Sequence, residues 1–199
     1  MGIDSLNNTK STLDLLLSRR SLVAIKMAAP GPEKEELKQI IAAGIRVPDH
    51  GRVEPWRIQI VGPEGRHQLV ELQTAIFKRE RQSEPKQKLE ALNQITLNAP
   101  TLLVVTSRPN PDKFEKVPLL EQQLSGGALC QNILIASHAL GYVAQWLTGW
   151  PAYHGEIKAL LGHEKNIDIL GFIYIGSAID SLTERPRPVF KNIVSHWPG

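Results

Sequence analysis

The sequence predicts an α+β fold. Three observations carry this: long stretches of helical periodicity, about four apolar runs of strand length at uneven spacing, and no regular strand–helix alternation of the kind a parallel sheet needs. The chain has 199 residues, 42% hydrophobic and 22% charged. A chain of this size buries roughly 70% of the surface it exposes when unfolded, so its core needs no covalent or metal staple. Residues 1–10, MGIDSLNNTK, are polar and unpatterned and read as a flexible tail, with residues 11–199 as one domain. No linker, repeat or low-complexity segment divides the rest.

The elements follow in order. Ser11 or Thr12 caps a short helix with an apolar stripe of Leu13, Leu15, Leu16 and Leu17, closed by Ser18-Arg19-Arg20-Ser21. After Pro30-Gly31-Pro32, Glu33 to Glu36 open a helix carrying Leu37, Ile40, Ile41 and Ile45, its acids matched to the positive N-terminal end. Pro48-Asp49-His50-Gly51 breaks it, and Trp56 to Val61 reads as a strand ended by Gly62-Pro63. Two charged helices, Gly65 to Arg81 and Glu84 to Leu97, precede Thr101 to Thr106, whose unalternated apolar run marks a strand buried on both faces.

Pro118 to Leu140 is helical in period yet rich in small residues, including Gly126 and Gly127. Two mid-helix glycines cost about 1 kcal/mol each relative to alanine, so another backbone, within or between chains, or a flat ligand approaches closely there. Gly141 stops the helix. Tyr142 to Thr148 is a strand, Tyr153 to Leu161 a short helix, Ile167 to Ile175 a strongly apolar strand, and the tail turns extended and basic through Arg185-Pro186-Arg187-Pro188.

Composition and motifs exclude several classes. One cysteine, Cys130, rules out an intrachain disulfide framework and a cysteine cluster for zinc, and suggests a reducing, cytoplasmic setting. No run approaches the roughly 18 apolar residues of a membrane span. A net charge of +3 with scattered basic residues gives no footprint for nucleic acid or a membrane. The chain lacks G-x-x-x-x-G-K-[ST], G-x-G-x-x-G after a strand, H-E-x-x-H and G-x-S-x-G, and its six histidines have no metal-ligand spacing. His138, on an apolar helix, reads as a hydrogen-bonded interior or interface residue.

What remains is anion chemistry by arginine. Arg19, Arg20 and Ser21 at a helix end can grip a phosphate with forked, charge-assisted bonds, or can be a solvated helix terminus. Arg185 and Arg187 lie in a proline-stiffened segment that holds two cations in register, or is a solvated tail. Arg46, Asp49 and His50 share a proline-broken loop suited to polar recognition of a flat heterocycle, or to a turn that Asp49 caps.

In this order the segments resemble the nitroreductase family of FMN-dependent oxidoreductases. The resemblance rests on R-R-S near the N-terminus, A-G-I-R-V-P-D-H, E-P-W-R-I, the helix S-G-G-A-L-C-Q-N-I-L-I-A-S-H-A-L-G-Y, then G-F-I-Y-I-G-S and R-P-R-P. It runs from Ser11 to about Val194 and is specifically to a compact branch with P-D-H. It implies a homodimer with a central, mostly antiparallel sheet flanked by helices, a long central interface helix spanning Ser125 to Leu140, and FMN at the interface. By resemblance Arg19, Arg20 and Ser21 bind the FMN phosphate and ribityl end, and Arg185 and Arg187 reach the phosphate. Trp146, Leu147 and Thr148 line the flavin ring, and Arg46 and His50 come from the partner chain. NADH or NADPH would donate hydride to flavin N5 in a ping-pong cycle, with a nitroaromatic, quinone or similar small molecule as acceptor. No side chain need act as the acid or base, because the cofactor carries the hard step.

Two departures stand out: Val23 where many members carry a flavin-contacting Lys, and Glu54 where a neutral amide is usual. Both bear on flavin potential and acceptor preference. Two other readings compete: the same fold binding or consuming flavin without nitroreductase turnover, and, more remotely, a small basic nucleic-acid-binding module.

Overall fold

The computed structural model describes residue 7 and residues 9–198. Most of the tail predicted over 1–10, namely residues 1–6 and 8, lies outside the described residues; Asn7 accepts the Arg20 N–H through Oδ1 at 2.9 Å.

Helix α1 (Thr12–Ser18) is capped by Ser11, whose hydroxyl accepts the Asp14 N–H at 3.1 Å. It buries Leu15, whereas Leu13 and Leu17 stay 64% and 57% exposed. Three consecutive leucines spread over some 200° of a helix, so one face takes only one of them. Strand β1 (Met27–Ala28), too short to leave a pattern in the sequence, precedes α2 (Lys34–Gly44), which starts in a reciprocal capping box between Glu33 and Glu36.

Strand β2 (Trp56–Ile60) leads into the hairpin of α3 (Pro63–Glu80) and α4 (Lys86–Asn98). Pro63 is tolerated in the first turn of α3 because its missing N–H would have had no helical partner. Strand β3 (Thr101–Ser107) is buried at every position, as its unalternated sequence predicts. Helix α5 (Leu119–Ala139) ends before Gly141, whose φ of +87° suits glycine. After β4 (Val143–Leu147), Trp150–Tyr153 form a 3-10 turn, and the predicted helix from Tyr153 begins instead as α6 (Gly155–Leu160), because His154 caps the Glu156 N–H. Strand β5 (Asp168–Ala178) closes the set.

The fold is α+β. All pairings in the five-stranded sheet are antiparallel: β3 lies between β2 and β5, and β5 also pairs with β4 and, at its end, with β1. Alternate residues of β3 and β5 face two separate cores. Leu102, Val104, Phe172 and Tyr174 pack toward the α3–α4 side, while Leu103, Val105, Ile173 and Ile175 meet α2 and α5. Among the described residues no helix is long and apolar enough to cross a membrane.

Gly126 of α5 is explained within the chain, since an added Cβ would strike the Leu170 side chain of β5. Gly171 of β5 lies under the Trp146 indole in the same way, and the indole N–H donates to the Leu170 carbonyl at 2.8 Å.

Candidate functional site

Four arginines from the two ends of the chain converge on one cavity of about 280 Å³, lined by Arg19, Arg20, Ser21, Arg185 and Arg187, with Trp146, Gln145 and Val23 as the rest of its wall. The α1 terminus presents the first pair, and the extended segment after β5 brings back the second. Arg187 Nη2 donates to the Arg19 carbonyl at 3.1 Å, and Arg20 Nε donates to the Thr183 carbonyl at 3.0 Å, so the two segments clasp each other. Arg20 also donates to the Ser21 carbonyl at 2.8 Å, and Arg19 Nη1 donates to the Ser21 hydroxyl at 3.1 Å.

Positive charge dominates the cavity. Burial, then the charges of Arg187, Arg185 and Arg20, pull the Arg19 guanidinium below its ordinary pKa. Among the described residues Glu184 is a carboxylate in contact, 2.9 Å from Arg187 and also accepting the Arg185 N–H. Crowded guanidiniums around a partly desolvated space favour a bound anion of high charge density, because it repays both the repulsion and the lost hydration.

Gln145 has no signal in the sequence. Its amide oxygen accepts the Ala24 N–H, which ties β4 to the segment following the arginine pair. Trp146, held flat across Gly171, supplies an aromatic wall. Leu147 and Thr148 line a neighbouring cavity toward the α3–α4 side instead.

Arg46 and His50 are exposed and are not among the side chains lining the arginine cavity of their own chain. Their loop is pinned by one stripe of α5. Glu121 lies 2.8 Å from His50 Nδ1, Ser125 donates to the Pro48 carbonyl at 2.7 Å, and Asn132 donates to the Arg46 carbonyl at 3.0 Å. Asp49 accepts the N–H groups of Val53 and Glu54 at 3.1 and 2.9 Å, the self-capping turn that its sequence allowed.

His138 is buried, with Nδ1 donating to the Tyr142 carbonyl at 3.0 Å and Nε2 without a partner. Burial, with a smaller effect of the nearby Arg19 charge, lowers its pKa to about 4. From pH 6.5 down to 4 the unfolded chain therefore takes up a proton that the folded one refuses. Stability from this group is fully present above 6.5 and falls across that window by on the order of 3 kcal/mol. His138→Gln, which keeps an N–H donor and cannot titrate, is expected to flatten the difference between urea unfolding at pH 7 and at pH 4.5. A variant as pH-sensitive as the parent in that range would show that another group is responsible.

Comparison with known proteins matches the model described as "Nitroreductase family" to residues 18–177. The chain belongs to the nitroreductase family. That span holds the first arginine pair, α2, α5 and β4, while Arg185 and Arg187 lie beyond it. This nitroreductase-family chain is 29% identical over 167 residues to the Escherichia coli K12 protein named "Putative NAD(P)H nitroreductase YdjA", covering 83% of this chain and 87% of that one. Among solved structures it resembles a nitroreductase-like family protein from Bacillus cereus, with a TM-score of 0.81 at 21% identity over 96% and 97% of the two chains. A TM-score of 0.76 at 16% identity, over 94% and 98%, relates it to a point mutant of the FMN and NADPH-dependent nitroreductase NfnB from "sphigopyxis sp. strain HMH".

Proposed function

We propose that this nitroreductase-family protein is an FMN-dependent oxidoreductase that uses NADH or NADPH to reduce an electron-poor small molecule such as a nitroaromatic or quinone. The observation that carries the reading is the meeting of Arg19, Arg20, Arg185, Arg187 and Ser21 on one cavity beside Trp146. This donor set fits FMN: forked cations and a hydroxyl match a phosphomonoester dianion, and the indole and β4 give a flat ring a wall to lie against. The names of the related proteins point the same way.

Bound FMN would supply the redox chemistry, taking hydride at N5 from the nicotinamide and passing it to the acceptor in a second half-reaction. The chain's own residues bind and orient. The arginines and Ser21 would hold the phosphate end, Trp146 would border the ring, and Val23 places an apolar surface where the family resemblance leads one to expect a lysine. Without a cation at this position, reduced flavin bound here would gain less charge stabilisation, which would bear on the choice of acceptor.

The reading includes a homodimer in the cytoplasm. Leu13, Leu17, Leu120, Leu124 and Phe190 are exposed, and a second copy would cover apolar surface of this kind while contributing Arg46 and His50. The protein is expected to purify yellow, to sediment as a dimer, and to oxidise NADH or NADPH faster when a nitroaromatic or quinone is added. A colourless protein that leaves the fluorescence of added FMN unquenched would refute the reading. Bound FMN with no acceptor-dependent oxidation would favour flavin binding without turnover.

A further inference from the structure

In the wall of the arginine cavity, the chain itself dictates which way the Gln145 amide faces. Its Oε1 accepts the Ala24 N–H at 2.5 Å. Only the oxygen of an amide can accept a backbone N–H, so the two N–H bonds of Nε2 are turned away from Ala24. Nε2 has no hydrogen-bond partner among the described residues and is not sealed from solvent, and the half-buried residue lines the arginine cavity. Two donor bonds are thus fixed in direction and unspent.

The other lining groups offer something different. Arg19, Arg20, Arg185 and Arg187 bring charge, with the Ser21 hydroxyl among them. The Trp146 indole N–H is spent on the Leu170 carbonyl at 2.8 Å, and Val23 has no polar side-chain atom. Gln145 directly precedes Trp146 in β4, so a neutral donor stands next to the aromatic wall.

Forked guanidiniums serve a phosphate dianion. A neutral amide held by its own oxygen suits a neutral acceptor on a ring against Trp146, and suits it better still if that acceptor gains negative charge. The pyrimidine side of a flavin has such acceptors, N1 and the C2 carbonyl oxygen, and electron density rises there on reduction. We propose that Gln145 Nε2 donates to this side of the flavin ring and thereby favours its reduced form. The inference rests on the FMN reading given above and adds to it a neutral device for setting the flavin potential.

The test compares the parent with Gln145→Leu, which has no donor, and with Gln145→Glu, which keeps an oxygen for the Ala24 N–H and also lacks the donor. Midpoint potentials of the flavin-loaded proteins are measured in mildly alkaline solution, where the reduced ring is anionic, and affinities for oxidised FMN and riboflavin by fluorescence titration. The leucine variant should weaken both oxidised flavins alike, by about three- to tenfold, and the reduced ring about tenfold more, because a bond to an anionic acceptor is the stronger one. That tenfold difference lowers a two-electron potential by about 30 mV. The glutamate variant should fall at least as far, since its carboxylate adds repulsion. An unchanged potential in the leucine variant would overturn the proposal, as would weakening of FMN without riboflavin, which would put the amide at the phosphate. So would a fall with leucine that glutamate restores, because the amide would then serve only to hold the Ala24 segment. Should the leucine variant misfold, a parent-like potential in the glutamate variant overturns the proposal by itself. A parent that binds neither flavin would refute the FMN reading and this inference with it, whereas each of the other adverse results leaves that reading standing.

Discussion

Arg19→Ala is expected to lower affinity for FMN about ten- to a hundredfold while leaving affinity for riboflavin unchanged, because losing one charge-assisted bond costs roughly 1.5 to 3 kcal/mol. Burial, and then Arg187, Arg185 and Arg20 together, disfavour the ionised form of Arg19. A dianion in the cavity removes that penalty, so Arg19 gains more from the phosphate than an isolated surface arginine would. The substitution leaves the Arg19 carbonyl in place for Arg187, so the clasp between the two segments survives. Riboflavin lacks the phosphate and separates the two ways in which the variant could act. The parent should prefer FMN over riboflavin by at least about a hundredfold, since several such bonds are at stake, and the variant should lose that preference by the same factor that it loses for FMN. Equal weakening of both flavins, measured by fluorescence titration, would mean that Arg19 supports the fold of the site and does not contact the phosphate.

The convergence behind that prediction is only partly legible in the sequence. Each arginine pair reads alone as well as a solvated terminus as it does as a ligand site, and nothing local says that residues so far apart along the chain meet. Resemblance to a family supplies the connection; the contacts of Arg20 with Thr183 and of Arg187 with Arg19 give it a physical form. Signals confined to one element read directly. Ser11 and Glu33 announce their helices, and the unbroken apolar run of β3 announces burial on both faces. Periodicity fails where an element is too short or its neighbours too many. The leucines of α1 look like one stripe, yet Leu15 alone among them is buried. In β4 the pleat sends Trp146 and Leu147 into the cores on opposite sides of the sheet, so consecutive positions that resemblance grouped together border different cavities. Gln73, in a charged helix, carries no mark of being buried with its Oε1 unpaired.

Arg66 is equally silent, and its replacement is expected to have the largest effect on stability. It stands in the first turn of α3 among Glu64, Gly65 and His67, a context that reads as solvated, yet it is only 9% exposed. Its Nε donates to the Val61 carbonyl at 3.1 Å, Nη2 donates to the Pro100 carbonyl at 2.6 Å, and Nη1 donates to the Ala99 carbonyl. One planar fork thus joins the exit of β2 to the turn between α4 and β3. Desolvation lowers its pKa, the mark of a cation held by carbonyl dipoles with no carboxylate beside it. Arg66→Ala leaves three carbonyls without their donor and a void next to the strand at the centre of the sheet, for a loss of about 3 to 5 kcal/mol and a fall in Tm of roughly 6 to 20 °C. Arg66→Lys should recover less than half of this, because an ammonium cannot reproduce the spread of the fork. Urea unfolding of both variants distinguishes the effect from simple loss of charge. If alanine cost less than about 1 kcal/mol, or if lysine restored the parent's stability, the junction would not depend on the geometry of the guanidinium.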